Sequence, residues 1–177
     1  MARKKVRNIH ELNTEINKLL KQVLNDRNSF TAEEIKRTQS DMVEKEVYSK
    51  YTPSNGEPYR YERRGTEGGL ADMRNMWHEA VEARGKVSML ITNLTEGNPE
   101  DNENNLKQGQ VAMLVEGGDG AMGLNYYYKS NRTDTAYKYL QPRPFQKATI
   151  EELKANKMHV QTLALELRQK GIDTKML

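Results

Sequence analysis

Apolar residues open the chain at intervals of three and four: Ile9, Leu12, Ile16, Leu19, Leu20, Val23 and Leu24. That spacing lays one apolar stripe along a helix, and Asn8 followed by Glu11 supplies a capping-box start. Asp26 to Ser29 interrupts the pattern, and Thr31 with Glu34 opens a second helix with the stripe Ile35, Met42, Val43 and Val47. This helix cannot run past about Tyr51, because Pro53-Ser54-Asn55-Gly56 is a turn cluster and Pro58 follows it.

From there to Leu70 the chain reads as irregular, with Tyr51, Tyr59 and Tyr61 interleaved with Arg60, Arg63 and Arg64 before Gly65, Gly68 and Gly69. Between Met76 and Leu94 the period changes to two, and Val87, Met89 and Ile91 alternate with polar neighbours after Arg84-Gly85-Lys86. This predicts a β-hairpin closed near Gly85, although Trp77 to Ala83 also fits a short helix. Gly97 to Asn105 reads as a loop, acidic through Glu96, Glu100, Asp101 and Glu103. Leu106, Gln110, Met113 and Leu114 fit a short helix ending at Gly117-Gly118, while Val111, Met113 and Val115 fit a strand equally well.

Tyr126 to Tyr128 form an aromatic knot, and Tyr137, Tyr139 and Leu140 lead into Pro142-Arg143-Pro144-Phe145. The last helix is expected to start in a capping box, Thr149 with Glu152. Ile150, Leu153, Val160, Leu163 and Leu167 form its face, and Gly171 stands at C′. Proline before it and a bulky ring make Phe145 the expected anchor that docks this helix onto the hairpin.

The order of elements implies an α+β fold: amphipathic N-terminal helices, a central antiparallel β-hairpin or small sheet with loops, and a long C-terminal helix packed on the sheet. A single domain over 1–177 is expected, with a helical N-terminal region at 1–50, a strand and loop region at 51–145 carrying the acidic loop 96–105, and the C-terminal helix at 146–172.

Composition changes the picture in one respect. Hydrophobic residues are 36% of the chain, charged residues are 30%, and mean hydropathy is −0.93. A 177-residue chain this poor in apolar material has a small core, so some of its surface is expected to be buried against partner subunits. A net charge of +3 carries no strong nucleic-acid or membrane signature. With no cysteine, disulfides, thiolate nucleophiles and iron–sulfur clusters are excluded. The apolar run that includes Ala112 to Val115 is far below a membrane span, and the basic start MARKKVR runs into a polar helix, so an unexported soluble protein is expected.

Candidate chemistry is sparse. His10, His78 and His159 are scattered, no Ser sits in Gly-x-Ser-x-Gly, and Gly117-Gly118-Asp119-Gly120 lacks the Lys-Ser/Thr of a phosphate loop. No catalytic residue, metal site or cofactor is expected, and the chain does not read as an enzyme. Two features read as binding surfaces. Arg3-Lys4-Lys5-Arg7 suits phosphates or solvent. Tyr59, Tyr61, Arg63 and Arg64 suit a protein interface better than base stacking, since nothing else in the chain looks like a nucleic-acid module.

Three stretches carry a family resemblance: Val47 to Leu70 (VYSKYTPSNGEPYRYERRGTEGGL), Leu114 to Gly120 (LVEGGDG), and Arg143 to Gly171 (RPFQKATIEELKANKMHVQTLALELRQKG). In content and order they resemble the neck and tail-completion proteins of tailed bacteriophages. The matching features are the Tyr/Pro-rich segment Tyr59 to Leu70, Val115-Glu116-Gly117-Gly118, Arg143-Pro144-Phe145, and Glu152-Leu153 with His159. Departures are Gln146-Lys147-Ala148 after the Arg-Pro-Phe and an acidic loop that looks inserted.

The resemblance implies a virion structural protein, made in the host cytoplasm, that forms a six- or twelvefold homo-oligomeric ring at the head–tail junction. Such a ring continues the DNA channel between head connector and tail, lies near genomic DNA, and touches adjacent connector and tail proteins and no membrane. The alternative is a nucleic-acid-binding accessory protein using the basic N-terminus and the Tyr/Arg-rich loop.

Overall fold

The computed structural model describes residues 8–50, 66–97, 107–117, 142–172 and 174. Helix α1 spans Ile9–Leu24 and α2 spans Phe30–Val43, continuing as a π-helical turn over Glu44–Tyr48. A 3-10 turn, Met73–Asn75, leads into strands β1 (Met76–Ala83) and β2 (Lys86–Asn93). Helices α3 (Gln110–Gly117), α4 (Phe145–Asn156) and α5 (Met158–Gln169) follow. The fold is α+β, as the periodicities predict.

Local signals account for most boundaries. Asn8 Oδ1 accepts the Glu11 N–H at 2.8 Å and caps α1. Arg84 and Gly85 both take positive φ, 52° and 72°, which is a two-residue type I′ turn, so the hairpin places Ala83 opposite Lys86. Trp77 to Ala83 is therefore strand, and Val111 to Val115 is helix. At the other end Gly171 sits at φ 81°. Its N–H reaches Arg168 O at 2.8 Å and the Ile172 N–H reaches Leu167 O at 3.0 Å, a complete Schellman motif on α5.

Two helix starts differ from expectation, and in both a distant carboxylate supplies the cap. Helix α2 begins at Phe30, with Ser29 Oγ accepting from Ala32 N at 3.2 Å, instead of opening at Thr31 with Glu34. The Phe30 and Thr31 N–H groups are taken at 2.6 and 3.2 Å by Glu166, 136 and 135 residues away on α5. Helix α4 begins at Phe145, and Glu116 accepts from Gln146 N at 2.8 Å and Lys147 N at 3.4 Å. Thr149 is no cap. It lies inside α4, and its hydroxyl donates back to Phe145 O at 2.7 Å.

The single long C-terminal helix is also corrected. Lys157 adopts φ 54° and separates α4 from α5, a left-handed residue that neither glycine nor proline announces. In place of one helix on the sheet, α4 packs on the π-helical turn and α5 on α1.

Contacts divide the chain into two compact units, and α2 and the hairpin contribute residues to both. The first unit comprises Met1–Ile35, His78–Ile91 and Lys157–Leu177. In it α1 meets the hairpin tip through Asn17 Nδ2, which donates to Glu82 Oε1 at 3.0 Å and Gly85 O at 3.2 Å. Asn25 Oδ1 accepts the Ala80 N–H at 2.7 Å. The second unit comprises Lys36–Trp77 and Thr92–Asn156. Its core is a cluster of Val43, Val47, Leu70, Ala71, Ala112 and Phe145, with Tyr48, Val111 and Val115 packed against it.

Phe145 is fully buried there, so the ring anchors α4 to the end of α2 and to α3 instead of to the hairpin. Truncation leaves a cavity that its neighbours cannot fill. Phe145→Ala is expected to cost about 3–5 kcal/mol in urea unfolding, and a stability within ~1 kcal/mol of the parent would remove the anchor role.

Candidate interaction surface

The segment that follows the Tyr/Arg stretch has no regular structure, yet it is buried, and its peptide groups are satisfied by side chains. Gly68 N donates to Asp72 Oδ2 at 2.6 Å, and Gly68 O accepts from Asn75 Nδ2 at 3.0 Å. Gly69 O accepts from Thr95 Oγ1 at 3.1 Å, and Leu70 N donates to the Tyr48 hydroxyl at 3.1 Å. Leu70 O accepts from Asn93 Nδ2 at 2.7 Å, and Ala71 O from Ser40 Oγ at 2.7 Å. An unpaired buried peptide group costs as much as a lost hydrogen bond, so this clamp is what lets an irregular stretch enter the core. Gly68 sits at φ +82°, a conformation that a side chain there would strain.

Asp72 is the hub of the clamp. Its carboxylate is 4% exposed and receives the Arg74 guanidinium through Nε at 3.0 Å and Nη2 at 2.7 Å. The Arg74 side-chain hydrogen bond is the main cause that holds its pKa down at about 2, against an ordinary 3.8; burial opposes it, and the Arg74 and Gly68 N–H groups assist.

The three stretches of the phage resemblance meet in this unit. Val47 and Tyr48 begin the first and Leu70 ends it; Val115 stands in the second, Phe145 in the third, and all five belong to one cluster. Arg143 N donates to Val115 O at 2.8 Å, and Glu116 caps the helix that Phe145 starts. Arg143 is half-buried and Pro144 exposed, with Pro144 O accepting from Ala148 N at 3.0 Å. Tyr59, Tyr61, Arg63 and Arg64 lie outside the described residues, as do Arg3 to Arg7, Gly118 to Gly120 and the acidic loop beyond Gly97.

Among the described residues no group of three or more His, Asp and Glu side chains is placed to hold a metal ion. The histidines stay apart. His78 Nε2 lies 3.2 Å from Asp26 O, and burial lowers the pKa of His159, whose Nδ1 has no partner. A groove of about 420 Å³ beside α1 is lined by Thr14, Lys18, Lys21, Gln22, Asn25 and Glu82. No described helix is long and apolar enough to cross a membrane.

The larger feature is apolar surface left uncovered. Among the described residues, thirteen large apolar side chains are exposed against twelve apolar residues buried, and four of those twelve are alanines. The exposed set includes Ile9, Leu12, Ile16 and Leu19 on α1, Trp77, Val81 and Leu90 on the hairpin, and Met158, Val160 and Leu165 on α5. Scattered single exposures are ordinary, but aligned ones mark contact surfaces.

Sequence reasoning missed the clamp and Glu166. Asn75, Asn93 and Thr95 read as polar strand ends, and their partners are irregular backbone that no periodicity reveals. Glu166 did carry a signal: it stands three residues after Leu163 on the apolar side of α5, where a carboxylate needs buried donors.

The described residues thus form a small α+β fold in which polar clusters hold irregular backbone and large apolar side chains stay exposed. The chain belongs to the YomN family, whose profile, described only as YomN, matches residues 8–169. That family is named after a gene product of an SPbeta-type prophage, which makes this a phage-related protein. No curated protein and no solved structure matches the chain.

The clamp has a pH signature. Because the folded pKa of Asp72 lies below its unfolded value, its contribution is fully present above about pH 4 and is lost as pH falls toward 2. Asp72→Asn is expected to cost about 2 kcal/mol at pH 7, with the gap to the parent closing near pH 2. A gap of equal size at both pH values would contradict the carboxylate's role.

Proposed function

We propose that this chain is a virion structural protein of the phage head–tail junction, a neck or tail-completion subunit that assembles as a six- or twelvefold ring. In this reading it carries no catalytic centre and no cofactor. Its partners are further copies of itself and the adjacent head-connector and tail proteins, with genomic DNA passing through the channel.

The observation that carries the reading is the uncovered apolar surface of α1, the hairpin and α5, which a free-standing protein of this polarity has little reason to keep. Membership of a phage-derived family supports it, and so does the convergence of the three resembling stretches on one core. The clamp fits the same reading, since it fixes the end of the segment whose tyrosines and arginines suit an interface.

Replacing Tyr59, Tyr61 and Arg63 together by alanine is expected to leave monomer stability within about 1 kcal/mol while abolishing incorporation into particles, read by quantitative mass spectrometry of purified virions. Normal incorporation would move the interface elsewhere. Absence of the unmodified chain from virions would sink the reading altogether.

A further inference from the structure

The junction between α4 and α5 carries two costs that its sequence does not require. Phe145 to Lys170 contains neither glycine nor proline, and Ile150, Leu153, Val160 and Leu167 follow at intervals of three, seven and seven, the register of one unbroken helix with Lys157 standing in it. The fold breaks the helix there all the same. Lys157 sits at φ 54° and ψ 17°, a left-handed conformation unfavourable to any residue with a Cβ. No side chain caps the start of α5, whereas a continuous helix gives each of its N–H groups a carbonyl one turn back. The division between the two compact units falls at this same residue, with α4 in the second and α5 in the first.

Within the first unit the seat of α5 is specific. The helix packs on α1 and presents Glu166, 6% exposed, to the start of α2. That carboxylate accepts from Phe30 N at 2.6 Å, Thr31 N at 3.2 Å, Ser29 Oγ at 3.3 Å and the Thr31 hydroxyl. Four donors on three consecutive residues thus converge on one acceptor, and Ser29 and Thr31 are themselves buried. Taking the carboxylate away leaves the donors of a helix start without their acceptor, so the seat selects α5, whether of its own copy or of another. We infer that α5 is exchanged between copies: Lys157 leaves the left-handed region, α4 and α5 run on as one helix, and Glu166 of one copy caps α2 of the next. This rests on the ring reading above and names the contact that joins neighbouring copies. Every hydrogen bond of the seat is kept, because the incoming helix is chemically the one that leaves, and the junction sheds its left-handed residue and gains backbone bonds across it. A strained one-residue connection favours exchange over closure. In dilute solution a copy's own α5 fills its seat at high effective concentration, so exchange requires crowded chains. When α5 of one copy enters a second and that copy's α5 enters a third, the contact runs head to tail, the geometry that generates a ring; reciprocal exchange stops at a dimer.

Refolding the full chain from urea at high protein concentration, followed by native mass spectrometry, tests the exchange. The parent is expected to give multimers that persist on dilution. Lys157→Gly removes the left-handed cost and weakens a continuous helix, so it should lower the multimer fraction roughly tenfold; Lys157→Ala removes the charge but keeps a Cβ, and should leave that fraction within about twofold. In multimers refolded from an equal mixture of isotope-labelled and unlabelled parent chains, filtered NOEs should join the Thr31 methyl of one copy to Glu166 of another. An equal fall in the two variants would assign the multimer to the lysine charge and overturn the inference, as would a Thr31–Glu166 contact confined within copies. A parent and a Lys157→Ala variant that both fold, by circular dichroism, and stay monomeric at every concentration would overturn it too. Exchanged multimers that stop at two copies support the exchange and count against the ring. Virion copy number separates the two readings: multiple copies of a chain that does not exchange α5 leave the ring standing and remove this contact, and exchange by a chain absent from virions does the reverse.

Discussion

Buried apolar material is scarce in this chain, and buried peptide groups must still be satisfied; the architecture is largely the way those two demands are met together. The second unit gathers five buried apolar residues around Phe145, and the chain around them is held by Asp72, Asn75, Asn93, Thr95, Ser40 and Tyr48 bonding to backbone. The first unit uses Glu166, 6% exposed, whose carboxylate accepts from the Phe30 and Thr31 N–H groups and from the Ser29 and Thr31 hydroxyls. A helix N-terminus offers unsatisfied donors and a positive field, so a carboxylate buried there is stabilised without a cationic partner. Charge-assisted hydrogen bonds of this kind are about twice as strong as neutral ones, which suits a fold with few methyl groups to bury.

The same scarcity bears on legibility. Elements specified by local chemistry could be read directly: Asn8 capping α1, the Arg84-Gly85 turn, and Gly171 ending α5. Elements specified by a partner far along the chain could not. The start of α2 depends on Glu166 and the start of α4 on Glu116, so the nearby Thr31/Glu34 and Thr149/Glu152 patterns pointed to capping boxes that the fold does not use. Lys157 breaks the last helix with no residue type that favours a left-handed turn. Phe145 was identifiable as an anchor from its size and its neighbouring proline, whereas its seat among Val43, Val47 and Ala112 depends on tertiary packing.

The candidate site was legible in a different way. Tyr59 to Arg64 stood out by composition, but the clamp that fixes the chain just after them draws largely on asparagines, a threonine and an aspartate, with Ser40 and Tyr48 beside them. Each of these residue types is ordinary by itself; the asparagines and the threonine donate to glycine and leucine carbonyls, and the aspartate accepts from a glycine N–H. Val47, Tyr48 and Leu70 from the first stretch that suggested a phage protein, Val115 from the second and Phe145 from the third are neighbours in one packed cluster.

In this account, the apolar stripe that α1 leaves open in the single chain is covered in the particle. A cryo-EM reconstruction of the virion's head–tail junction tests that most directly. The account predicts density for this chain in symmetric copies, with Leu12, Ile16 and Leu19 buried against a neighbouring subunit. A reconstruction that places the chain in the particle with that stripe facing solvent would contradict it.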